Sequence, residues 1–324
     1  MKEMNMFEKI GFSCRTVSAK LWTKDGLVQR YDGLLHYQGE LGDFWYDPNE
    51  FEVLIHEVME FEYLHYIGAS KTVSLPKGCI NTRYMFRGCT FLEGFALGND
   101  FDTSKVVDMQ GMFQECEMSA GFSLGDKFST SNVIDMSYMF WGCIMSHDFS
   151  LGARFDTGNV TTMYGMFMGC KLPVDFTLGN GFNTSSVTDM GVMFWKCEMS
   201  AGFSLGENFD TSSVTDMSIM FQECEFSEGF SLGDKFDTSN VTDMTCMFAG
   251  CELPFGFSLG GKFGTSSVKL MCGMFSYCKL PIGFTMCPKF IIRNVTNTDG
   301  MFDYCELPEG VTIESLLSDC REVK

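Results

Sequence analysis

Apolar and polar positions along this chain follow one pattern that renews itself every 27 residues across roughly the last three quarters of the sequence. In the coil running from Gly121 to His147, Gly121-Phe122-Ser123-Leu124-Gly125 alternates apolar and small polar residues, the period-two signature of a short strand. The alternation returns at Phe95/Leu97, Phe149/Leu151, Phe176/Leu178, Phe203/Leu205, Phe230/Leu232 and Phe257/Leu259. A glycine closes each one (Gly98, Gly125 and their successors to Gly260), where a turn calls for a positive φ or a close approach. Three residues later comes a Phe, then a polar Asp-Thr-Ser-Asn corner. A second extended piece follows, Asn132–Met136 or Asn240–Met244. From Met136 the apolar spacing widens to three and four, through Met139, Phe140 and Cys143, which predicts a single helical or 3₁₀ turn. Asp108, Asp135, Asp189, Asp216 and Asp243 stand where its N-cap belongs. Each coil therefore reads as strand, turn, short extended piece, capped helical turn and return.

The motif Met-Phe-x-x-Cys fixes the register. Its Met-Phe pairs begin at Met85, Met112, Met139, Met166, Met193, Met220, Met247, Met274 and Met301, and its cysteines run in step from Cys89 to Cys305. A fixed period of this length marks a solenoid, in which each coil buries its apolar side only against its neighbours. The expected fold is a β-rich repeat solenoid of nine 27-residue coils with a mixed N-terminal cap. Residues 1–70 lack the repeat and are read as the cap, 71–308 as the solenoid and 309–324 as a C-terminal cap. Within the first, Phe44-Trp45-Tyr46 and Phe51–Tyr66 are aromatic and acidic; Glu52–His65 suits a helix, although Val53, Ile55 and Val58 also suit a strand. Val73-Ser74-Leu75 resembles a degenerate first strand, Gly310–Ile313 a last strand, and Glu314–Val323 a short sealing helix.

The segment Phe236–Cys251, of the form FDTSNVTDMxxMFxxC, and Phe209–Cys224, which has Ser213 in place of the Asn, resemble the BspA-like leucine-rich-repeat proteins. They are more similar still to the repeat of mycoplasma-type surface lipoproteins, with its TSNVTDMSxMF signature, over about residues 80–308. The resemblance implies an LRR-like solenoid and, for many relatives, adhesion or binding of a host protein at a cell surface.

Composition narrows the partners. The chain is 45% apolar, contains 33 Phe and 34 Gly but 7 Pro, and carries a formal charge of -19. Phosphate backbones need Lys and Arg, so direct nucleic-acid binding is not expected, whereas a basic protein partner suits the charge. Lys2, Glu3, Glu8, Lys9, Arg15 and Lys20 interrupt any secretory apolar run near the start, and no stretch has the length of a membrane span. Read this way, the chain is cytoplasmic, does not insert in a membrane, and keeps its 15 cysteines reduced.

Candidate chemistry is sparse. Cysteines 27 apart lie over one another at about 4.7–4.9 Å per coil. That spacing suits neither a Cys-x-x-Cys metal site nor a bridge wanting Cβ atoms roughly 3.5–4.5 Å apart, so the column reads as small buried hydrophobes with no cofactor or metal. His36, His56 and His65 leave a catalytic cap as a third possibility, without a recognisable triad or phosphate loop. The column Thr103, Thr130, Thr157, Thr184, Thr211, Thr238 and Thr265 reads as hydroxyls bonded locally to the turn rather than as a flat ice-facing array.

Positions that refuse to repeat are expected to be exposed. Trp141, Met168 and Trp195 occupy one such slot in three successive coils and form the expected apolar contact strip, beside a partial acidic column of Glu117, Glu198, Glu225, Glu252 and Glu306. The leading expectation is a non-enzymatic scaffold that binds a protein partner there. Its rival is an acidic inhibitor that imitates the charge of DNA. Because each coil needs a neighbour, deleting residues 1–70 is expected to uncover the Met85/Phe86 coil and cause aggregation or end-to-end association. Light scattering checks this; a truncated chain that stays monomeric and folded would show that residues 1–70 are a separate module.

Overall fold

The structure, a computed structural model, describes Leu75 and residues 79–98, 101–286 and 289–318, together with six short strands between residues 16 and 74. The chain divides into two compact units, Met1–Asp135 with Met139–Phe155, and Met136–Tyr138 with Asp156–Lys324. Each is a β-rich solenoid in its repeat-bearing part.

The first unit opens with strands that lie outside the repeat. β1 (Thr16–Val17), β5 (Glu52–Leu54) and β6 (Val73–Ser74) pair in parallel, in the order β1-β5-β6. β2 (Gly26–Tyr31), β3 (Leu34–Gly39) and β4 (Gly42–Tyr46) form an antiparallel meander whose two connections span two residues each, since Tyr31 pairs with Leu34 and Gly39 with Gly42. The expected strand at Val73 is present as β6, and Val53 lies in a strand rather than a helix. The rest of Glu52–His65 and the boundary at residue 70 lie outside the described residues.

In the repeats, β7 (Thr90–Phe91), β8 (Glu117–Met118) and β9 (Ile144–Met145) pair in parallel in the first unit. β10 (Lys171–Leu172), β11 (Glu198–Met199) and β12 (Glu225–Phe226) do so in the second. Every pair is in register at an offset of 27, as in Glu117↔Ile144 and Glu198↔Glu225. These strands follow the cysteines, in what the sequence read as the return. The expected Phe-x-Leu strand reduces to isolated bridges such as Ala96↔Ser123 and Thr177↔Ser204. Its alternation is nonetheless real: Phe122 and Leu124 are buried, Ser123 exposed, and Gly125 at φ 80° ends the extended run.

The Met-Phe segment turns more tightly than a helix. Met85 N–H donates to Thr82 O, Arg87 to Tyr84 O and Cys89 to Phe86 O, three overlapping i→i+3 turns. The residues between them donate to the next coil: Tyr84 to Gln110 O (2.9 Å), Phe86 to Met112 O (2.8 Å), Gly88 to Gln114 O (2.7 Å). The second unit repeats the scheme, with Val192 donating to Ser218 O and Phe194 to Met220 O while Trp195 bonds back to Val192 O. Two residues per turn segment take positive φ, which keeps the i→i+3 bonds from propagating into a helix. One slot holds Tyr84, Gly111, Tyr138, Gly165, Val192, Ile219, Cys246, Gly273 and Gly300; the other includes Gly88, Glu115, Lys196, Glu223, Gly250, Tyr277 and Tyr304. The Asp residues expected as N-caps cap these turns instead: the Oδ1 atoms of Asp108, Asp189, Asp216 and Asp243 accept from the N–H two residues on.

Side chains stack coil upon coil. Phe86, Phe113 and Phe140 stack at 5.5 and 5.6 Å between ring centroids in the first unit. Phe194, Phe221, Phe248 and Phe275 do so at 5.6–5.7 Å in the second. Within a coil the rings meet edge to face, as Phe194 does with Phe203 at 64°. Both arrangements suit the aromatic quadrupole. The Thr column is buried, and its hydroxyls bond to the neighbouring coil rather than locally to the turn as expected. Thr211 Oγ1 donates to Asp237 O and accepts from Asp237 N–H, so it ties one coil to the next instead of closing its own turn or facing solvent. At the C-terminus no strand forms at Gly310–Ile313. Thr312 Oγ1 accepts from Ser315 N–H and Ser315 Oγ from Thr312 N–H, capping α1 (Ile313–Ser318), which buries Leu316 and Leu317.

The left-handed slots set the sign of substitutions. Gly165 has φ 62°, and a Cβ there would lie 2.7 Å from the Tyr138 ring, so Gly165→Ala is expected to destabilise by about 2–4 kcal/mol. Glu223 has φ 55° on an exposed turn where Gly250 stands one coil later, so Glu223→Gly is expected to stabilise by about 1 kcal/mol. Denaturant melts of both variants check the pair; no loss in the first or no gain in the second would mean that its slot carries no strain.

Candidate interaction surface

The slot expected to form the contact strip is only partly open. Trp141 in the first unit and Met168 and Trp195 in the second are half-buried. Met168 and Trp195 sit one coil apart, linked through Gly169 N–H to Trp195 O at 2.7 Å. Lys196 Nζ lies 5.0 Å from the Trp195 ring centroid and 3.4 Å from Glu223, a cation–π contact continued by an exposed ion pair. Trp195 Nε1 is buried with no acceptor among the described residues. In the same column Gln114 and Ala249 are buried and Asp303 exposed, so failure to repeat marks tolerance of different side chains rather than uniform exposure.

The acidic column is placed as expected but is not continuous. Glu117 is exposed between Thr90 and Ile144 in the first unit. In the second, the order along the ladder is Lys171, Glu198, Glu225, Glu252, Lys279, Glu306. Lys171 Nζ is 2.6 Å from Glu198, and Lys279 pairs with Glu252. Glu225 thus stands between two carboxylates that are each tied to a lysine on their far side, which dilutes repulsion between like charges stacked directly over one another. As exposed pairs, these bridges contribute little stability.

Further exposed apolar groups lie outside the expected contact strip. Tyr277 and Tyr304 are 66% and 75% exposed and stack on each other at 4.8 Å, although both sit at positive φ. Phe255 and Ile282, at the turns after Leu253-Pro254 and Leu280-Pro281, are 76% and 77% exposed. One signal was available: Tyr277 and Tyr304 interrupt a column that holds small or charged residues in earlier coils.

A family comparison bears on this repeat. The family described as "Mycoplasma protein of unknown function, DUF285" matches residues 80–202, 118–230 and 200–310. The chain belongs to this family. No curated protein and no solved structure matches it. The DUF285 repeat therefore accounts for the coils and leaves strands β1 to β6 outside it.

The DUF285 cysteine column is structural. Cys116, Cys143, Cys224, Cys251 and Cys278 are free and buried, and each Sγ donates to the carbonyl of a Phe 30 residues earlier, as Cys116 does to Phe86 O at 2.8 Å. Among the described residues no group of three or more His, Cys, Asp or Glu could hold a metal, and no helix is long and apolar enough to cross a membrane. His36 lies in β3, His147 is exposed, and His56 and His65 lie outside the described residues, as do the side chains of Phe44, Trp45 and His36. Two open grooves, of about 370 Å³ near Ser123–Phe128 and about 550 Å³ near Ser204–Phe209, are lined largely by turn backbone and mixed charge.

Burial pushes the thiols of Cys116, Cys143, Cys197 and Cys224 well above the ordinary value near 9; for Cys278 the hydrogen bond with Cys251 comes first and burial second. The unfolded chain loses these protons at lower pH than the folded one. Stability is therefore complete below about pH 9 and falls as pH rises, by about 1.4 kcal/mol per pH unit for each thiol once its unfolded form is ionised. Melting temperature measured between pH 8 and 10.5 is expected to drop steeply above 9, and less steeply in Cys224→Ser. A flat profile would mean that the column is not buried.

Proposed function

We propose that the chain is a non-enzymatic scaffold of the BspA-like, leucine-rich-repeat kind that binds a protein partner through positions at which its coils differ. The observation that carries this reading is the contrast within the second unit between fully buried repeat columns and the exposed Tyr277, Tyr304, Phe255 and Ile282. Tyrosine at a left-handed slot costs backbone strain, and exposing it forgoes burial; aromatic groups held in this way are typical interface anchors. Formal charge of -19 favours a basic partner. Lysines interleaved in the carboxylate column favour this reading over imitation of DNA, which calls for an unbroken acidic face.

Affinity capture from a native lysate tests the proposal, comparing the wild-type chain with Trp141→Ala/Trp195→Ala and with Tyr277→Ser/Tyr304→Ser. A protein recovered by the wild type is expected to be lost from one of the two double variants while both remain folded by circular dichroism. Unchanged recovery with both would overturn the reading.

A further inference from the structure

Of the twelve described cysteines, nine belong to the ladder and Cys79 is buried; the remaining two, Cys246 and Cys272, are half-exposed. These two lie in adjacent coils of the second unit. Cys246 N–H donates to Cys272 O at 2.9 Å, Cys246 Sγ lies 3.7 Å from that same oxygen, and Cys272 Sγ lies 3.7 Å from Thr245 Oγ1, beside Cys246. One strand spacing and a one-residue offset put their Cα atoms about 6 Å apart, within the range of roughly 4.4–6.8 Å that a disulfide spans.

We propose that Cys246 and Cys272 form an oxidisable dithiol that a peroxide converts to an intramolecular disulfide. Two features separate this pair from the ladder. First, its offset is 26 residues rather than 27, and Cys246 occupies a left-handed slot at φ 53°, so its side chain does not run parallel to that of Cys272. The Cys246 Sγ lies 3.0 Å from where a Cβ on Gly273 would stand, so the glycine after Cys272 makes room for the thiol against that turn. Second, the local turn is less tightly held. Leu270 takes the ladder place of Asp243, so the Cys272 coil lacks the carboxylate that caps Thr245 N–H one coil earlier. In the reaction, one thiolate attacks a peroxide oxygen, giving a sulfenic acid and hydroxide. The second thiolate then attacks the sulfenic sulfur, forming the S–S bond and releasing the oxygen as water. Two thiols and one hydrogen peroxide become one disulfide and two waters.

Hydrogen peroxide treatment of the full chain, followed by alkylation under native conditions and peptide mapping, tests this. The expected result is a Cys246–Cys272 cross-linked peptide lighter by two hydrogens, reversed by dithiothreitol, with the ladder cysteines from Cys116 to Cys278 unmodified. Cys246→Ser and Cys272→Ser are each expected to abolish the cross-link, leaving the other thiol open to alkylation or to a mixed disulfide with glutathione. Should both thiols of the wild type remain separately alkylated after peroxide, or be carried to sulfinic acids without a cross-link, the proposal is overturned.

Discussion

In-register hydrogen bonding between coils is the constraint on which the rest depends. With an offset of 27, every side chain stands over its own counterpart, so each column must tolerate itself. Phe achieves this by stacking at 5.4–5.7 Å along the Met-Phe column within each unit. Threonine achieves it by reaching into the backbone of the next coil, and cysteine by donating to a Phe carbonyl of the preceding one. Aspartate achieves it by accepting from the N–H two residues on, as Asp189, Asp216 and Asp243 do, while in the glutamate column Lys171 and Lys279 pair with the neighbouring carboxylates.

Backbone bonding also explains the strain. In the Met-Phe segment alternate amides point to the next coil and the others fold back on their own turn, an arrangement that requires left-handed residues at fixed places. Glycine fills several of them. Val192 and Ile219 do not suit the conformation, yet hold φ of 61° and 62° because hydrogen bonds to the next coil fix the turn around them.

The columns were legible in sequence because burial repeats at Val, Met, Phe and Cys in coil after coil, relaxing only at Val295 and Cys305 near the end of the stack, and the capping role of Asp108 and its equivalents followed from residue type. What was not legible has a common cause. A strand of two residues, such as Glu117–Met118, is too short to show an alternation, whereas Phe122-Ser123-Leu124 shows one with almost no ladder bonding. Thr211 resembles any corner threonine until the neighbouring coil is in place. Positive φ at Tyr138 or Lys196 leaves no mark on the residue itself; only the glycines elsewhere in the same column point to it. At the candidate surface, variability overstated the exposure of Trp141 and Trp195, whereas Tyr277 and Tyr304, which vary in the same stretch between Met-Phe and Cys, are exposed.

Register at a constant offset also makes the coil a unit of exchange. A coil gained or lost as a whole leaves each remaining column continuous, with Phe still over Phe and each thiol still under a carbonyl. Insertion of a single residue would put the altered coil out of register with its neighbour, one column short of a match, until a turn bulged to absorb it. A gene built in this way can change the length of its product in steps of one coil through recombination between its own repeats, and can shuffle exposed side chains such as Trp195 and Tyr277 without redesigning the interior.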